Sequence, residues 1–71
     1  MKTKVIFKVF KDGEVIALFP DDKWNASNIT SYMRIGQHGG ASPDLLTELK
    51  DATPQQYKEL KQELIGIGYD I

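Results

Sequence analysis

The chain has 71 residues, no cysteine and one histidine, with 9 Lys and Arg against 10 Asp and Glu and 41% hydrophobic residues. That length holds one small domain, residues 1–71, whose core only just offsets chain entropy, so most apolar side chains are committed to packing and few remain to line a deep active site. Without thiols, and with His38 as the lone imidazole, zinc fingers, iron–sulfur centres, thioredoxin-type redox motifs and cysteine nucleophiles are excluded.

In chain order, residues 3–10 and 14–19 are β-rich runs joined by Asp12-Gly13, a strong hairpin signal because both positions tolerate positive φ. A two-residue type I′ loop would set Val9 against Ile16 and Phe7 against Leu18, an apolar face, and leave Lys4, Ile6, Lys8 and Phe10 with Val15, Ala17 and Phe19 on a mixed one. Pro20 is expected to end the second strand, and residues 21–28 read as a polar loop around Trp24. Alternation resumes from Ile29, with Ile29, Ser31, Met33 and Ile35 on one side and Thr30, Tyr32 and Arg34 on the other, a third strand.

Gln37-His38-Gly39-Gly40-Ala41 reads as a flexible turn leading to Ser42-Pro43-Asp44, a helix start with a serine N-cap and proline at the first position. Thr53-Pro54-Gln55-Gln56 opens a second helix with the residues of a capping box, and Tyr57, Leu60, Leu64 and Ile67 follow helical spacing. Gly66 and Gly68 can end it, leaving Tyr69-Asp70-Ile71 as a tail or a short added strand. The order predicts an α+β domain: an antiparallel hairpin plus a third strand, then two helices packed on one face of the sheet.

Three surfaces compete for function. The first is a protein-binding surface of Trp24, Tyr32, Arg34, Gln37 and His38, since aromatic and arginine side chains anchor interfaces. The second is a basic, aromatic strand surface of Lys4, Lys8, Tyr32 and Arg34, a pattern that neutralises phosphates and stacks bases; the ribonucleoprotein consensus is absent and the net charge is −1. The third is the Gly36–Ser42 loop, where Gly39, Gly40 and Ser42 precede a helix N-terminus able to hold an anion and His38 is the natural acid–base group. Its spacing matches neither the P-loop nor the dinucleotide fingerprint, and no catalytic constellation surrounds His38. Asp21 and Asp22 lack a calcium-loop pattern and read as solvated turn residues.

Charge is uneven, +2 over residues 1–40 and −3 over residues 41–71, an asymmetry ordinary for a small domain. Lys8 and Asp12 break the first apolar run, so it reads as a strand and not an export signal, and no stretch approaches the ~20 apolar residues of a membrane span. A cytoplasmic protein without cofactor or metal is expected, with pairing of two copies through the mixed sheet face as one way to enlarge a marginal core.

Residues 31–43, Ser-Tyr-Met-Arg-Ile-Gly-Gln-His-Gly-Gly-Ala-Ser-Pro, with Thr53-Pro54-Gln55-Gln56-Tyr57 and Ile67-Gly68-Tyr69, resemble a family of short uncharacterised bacterial proteins, found especially in Bacteroides-type organisms, that share a Y-x-x-x-G-Q-H motif followed by S-P and a T-P-x-x-Y helix. The resemblance covers most of the chain after residue 30. It implies a bacterial cytoplasmic protein and carries no activity, cofactor or partner over to Gln37 or His38. The reading that follows is a small non-enzymatic binding or regulatory module engaging a protein partner.

Overall fold

Strands β1 (Ile6–Val9) and β2 (Val15–Lys23) form the hairpin that Asp12-Gly13 predicts, but its loop is one residue longer than a type I′ turn. In the computed structural model, which describes residues 2–33 and 37–71, the Phe10 N–H donates to the Glu14 carbonyl at 2.8 Å and the Gly13 N–H to the Phe10 carbonyl at 2.9 Å. Lys11, Asp12 and Gly13 therefore form a three-residue loop, with Gly13 at φ +90° in the left-handed position such loops require. Asp12 Oδ1 accepts the Glu14 N–H at 3.0 Å and fixes the loop exit. Val9 consequently faces Val15 and Phe7 faces Ala17, which corrects the expected Val9/Ile16 and Phe7/Leu18 pairs. A one-residue slip moves a strand's whole side-chain set to the other face.

β3 (Ile29–Met33) pairs with β2, β4 (Gln37–Ala41) with β3, and β5 (Lys50–Asp51) with β1. All ladders are antiparallel, and the sheet order is β4-β3-β2-β1-β5. Helices α1 (Leu45–Glu48) and α2 (Pro54–Gly66) complete an α+β fold. Pro20 does not end β2: the register shifts between Phe19 and Lys23, and a proline is tolerated where the ladder is interrupted. Gln37–Ala41 is a strand and not a flexible turn, because β3 pairs with all five of its residues. β5 has no counterpart in the sequence reading.

Alternation along β2 builds two cores. Ala17 and Phe19 join Tyr32, Leu60 and Leu64 on the α2 face, with Val5, Phe7, Val15, Tyr69 and Ile71 around them. Ile16 and Leu18 join Ile29 and Ala41 on the opposite face, flanked by Phe10, Met33, Leu45, Leu46 and Leu49. The helices thus take opposite faces, correcting the expectation of one shared face. The reason is in β2, where residues 15–19 are apolar without a break and both faces require cover. The mixed face expected for self-pairing is not a single face: Ile6 and Lys8 lie opposite Leu18 and Ile16, whereas Val15, Ala17 and Phe19 belong to the other face.

Both ends of α2 carry stop signals. Thr53 Oγ1 accepts the Gln56 N–H at 3.2 Å and Gln56 Oε1 accepts the Thr53 N–H at 2.8 Å, the expected capping box. At the far end Gly68, at φ +117°, donates its N–H to the Ile65 carbonyl, and Tyr69 donates to Leu64, each at 3.1 Å, a Schellman motif. α1 begins later than expected: Asp44, not Ser42, is its N-cap, while Ser42 Oγ accepts the Asp44 N–H at 3.2 Å one step earlier.

Candidate functional site at the β4 edge

Among the described residues β4 lies at the end of the sheet with β3 as its one strand neighbour. Tyr32 stands opposite His38 and Thr30 opposite Gly40, so His38 and Gly40 share the α2 face with Ala17 and Phe19, while Ser31 and Gly39 share the other. Ser31 Oγ donates to the Gly39 carbonyl at 2.9 Å and ties the two strands together.

Trp24 is folded onto this edge. Its backbone is held by a turn in which the Trp24 N–H donates to the Asn28 carbonyl at 3.0 Å and Asn25 Oδ1 accepts the Ser27 and Asn28 N–H groups, each at 2.9 Å. The indole lies over Gly40: a Cβ there would stand 2.4 Å from Trp24 Cδ1. Only a glycine permits that approach. Trp24 nonetheless remains 51% exposed.

Two positions along β4, His38 is exposed and its Nε2 lies 2.8 Å from the Tyr69 hydroxyl. The imidazole meets the Tyr32 ring edge-on, 4.7 Å between centroids at 71°, and Tyr69 stacks on Phe19 at 5.0 Å. Tyr32 itself is 1% exposed, and its hydroxyl donates to Glu63 Oε2 on α2. Aromatic side chains therefore run from the buried core out to the edge, ending in His38. A shallow hollow of about 290 Å³ lined by His38, Ile67, Gly68 and Tyr69 lies beside it.

Of the protein-binding set, Trp24 and His38 reach this surface. Tyr32 supports it from within and presents no contact face, and the Gln37 backbone belongs to the edge strand. Arg34 lies outside the described residues. The nucleic-acid set is not assembled. Lys8 is 8% exposed, sits on the α1 face, and gives its Nζ to Asp51 Oδ1 at 2.6 Å, whereas Tyr32 lies on the α2 face. Lys4 is exposed. The anion set is also altered, because Gly39 and Gly40 lie in an extended strand and α1 is a single turn. Convergent N–H groups require a turn conformation that a strand does not supply.

Sequence reasoning missed Tyr69, whose place depends on the Schellman turn, and Gly40, whose role is to receive an indole 16 positions earlier in the chain. The pairing of Gly40 with Trp24 has no local signal, since it is created by the β2–β3–β4 register. Ile67, expected on the core side of α2, is 53% exposed, having been turned outward at the helix C-cap.

Among the described residues no helix is long and apolar enough to cross a membrane. No protein family, curated protein or solved structure matches the chain.

Proposed function

We propose that the chain is a small non-enzymatic module that engages a protein partner by strand addition at β4. The observation that carries this reading is the open β4 edge with Trp24 lying over Gly40 beside it. An unpaired strand edge offers a row of main-chain donors and acceptors, and native proteins blunt such edges with charge, proline or brevity. β4 has five residues, Gln37–Ala41, with none of lysine, arginine, acid or proline. The opposite edge is blunted on both counts: β5 has two residues, Lys50 and Asp51, both charged. Main-chain hydrogen bonds would supply affinity, and the half-exposed indole and His38 would select the side chains that pass over them.

Nucleic acid is the weaker reading because the Lys8 charge is already engaged by Asp51. The test is to pan a library of displayed linear peptides on the intact protein and map each selected peptide by amide shifts. Binders should move the amides of residues 37–41 and the Trp24 indole. Binders that map only to α2 or to β5 would sink the proposal, and a single-stranded oligonucleotide that shifts Lys4 and Lys8 with a steep salt dependence would replace it.

A further inference from the structure

We infer that the strand added to β4 is β4 of a second copy, paired antiparallel about a two-fold axis at Gly39. The inference rests on the edge-binding reading above and names its partner. In a two-fold contact the same patch meets itself, so residue i faces j and j faces i. Centring the axis on Gly39 sets Gly39 against Gly39, His38 against Gly40 and Gln37 against Ala41. Cross-strand partners share a face of a continuous sheet, so His38 of each copy arrives on the α2 face beside the Gly40 on which the other copy's Trp24 rests. The half-exposed indole then gains an imidazole neighbour, and the largest exposed aromatic of the chain is covered.

Size and charge favour this partner and this register. At the axis, where two side chains would meet head-on, the residue is glycine. On the α2 face the histidine of one copy is set against a glycine of the other. β4 contains no Lys, Arg, Asp or Glu, so self-pairing sets none of those charges against its like. The product is a continuous ten-stranded sheet whose remaining ends are the short charged β5 strands.

The register is tested by a substitution that the monomer tolerates. Among the described residues a Cβ at Gly39 meets nothing nearer than Ser31 Oγ at 3.9 Å, and no positive φ marks this residue. Gly39→Lys should therefore fold as the parent does, by circular dichroism, while placing two ammonium groups opposite each other at the axis. Sedimentation equilibrium of the parent chain up to millimolar concentration should show a monomer–dimer equilibrium, weakened at least tenfold by Gly39→Lys. The chain has no cysteine, so Gly39→Cys introduces a single thiol. Directly opposed antiparallel residues have Cα atoms about 4.5–5.5 Å apart, within disulfide reach. Mild oxidation should trap Gly39→Cys as a covalent dimer much faster than the Lys11→Cys control in the exposed hairpin loop.

A parent chain that stays monomeric, with Gly39→Cys crosslinking no faster than the control, overturns the inference. So does a dimer indifferent to Gly39→Lys. If the chain is monomeric but selected peptides still shift the amides of residues 37–41, self-pairing fails and edge binding stands. If no peptide does so either, both fall.

Discussion

At the scale of single residues, the two adjacent glycines of β4 have opposite constraints, and the lone tryptophan reports on both. Gly40 has Trp24 Cδ1 at 2.4 Å from where a Cβ would sit, whereas among the described residues Gly39 has only Ser31 Oγ at 3.9 Å. Gly40→Ala must lift the indole off the strand, so Trp24 emission is expected to shift to the red. Because Trp24 is already half exposed, the accompanying loss of stability should be small, on the order of 1 kcal/mol for the lost packing. Gly39→Ala should leave the emission unchanged and stabilise by about 0.4–1 kcal/mol, since removing a glycine narrows the unfolded ensemble. An identical emission shift in both variants would show that Trp24 does not rest on Gly40. Lys8 gives a second test at this scale. Its chain is buried while its ammonium reaches the exposed Asp51. Replacing such a charge by an apolar residue of similar volume is often neutral, whereas removing its partner strands it. Lys8→Met is expected to change stability by less than about 1 kcal/mol, and Asp51→Ala to cost more than Lys8→Met in the same urea titration. The reverse order would mean that the Lys8 ammonium is satisfied without Asp51 and is not stranded by its loss.

At the scale of elements, end signals decide where the chain turns back. Gly68 at φ +117° completes the α2 C-cap and delivers Tyr69 onto Phe19 and toward His38. Gly68→Ala is expected to cost about 1–2 kcal/mol from left-handed strain. It should also broaden the Tyr69 and His38 ring resonances together, since one turn positions both contacts. Unaltered ring resonances alongside a stability loss would place Tyr69 independently of the cap. These elements also mark what the sequence made legible. The α2 start was readable because Thr53 and Gln56 act within one turn, and the hairpin was readable because Asp12-Gly13 acts within its own loop. The hairpin's register was not, since the same dipeptide serves two-residue and three-residue loops, and the choice between them moves Phe7 from Leu18 to Ala17. β4 was hidden for a different reason. Gly-Gly has poor strand propensity, and its extended form comes from the β3 ladder. Of the candidate site, Trp24 and His38 could be named as chemically suited to binding, but their placement on one face follows from a register that no local signal carries.

At the scale of the whole molecule, one sheet divides two cores of unequal quality. The α2 side contains Tyr32, Phe19, Leu60 and Leu64, each at or below 2% exposure. The α1 side has Ile16 and Leu18 in the sheet, but its covering residues Leu45, Leu46 and Leu49 are only partly buried and sit on a one-turn helix and its flanks. A four-residue helix has no independent stability, so this cover is held by side-chain burial and by its connection to β4 and β5. The two sides should therefore fail differently. Leu64→Ala removes a fully buried side chain from the better core and is expected to cost about 2–5 kcal/mol. Small domains have only a few kcal/mol in total, so the variant should be largely unfolded at 37 °C. Leu46→Ala opens a site already in contact with solvent, and its cost should be nearer 1 kcal/mol, within the ordinary range for partly buried positions. Native-state hydrogen exchange separates the two effects. In Leu46→Ala the amides of residues 45–49 should exchange faster while those of β2 and α2 keep their protection, because the lid opens locally and the α2 core stays closed. A uniform loss of protection across β2, α1 and α2 would mean that the sheet transmits packing between its faces and that the two cores unfold as one unit.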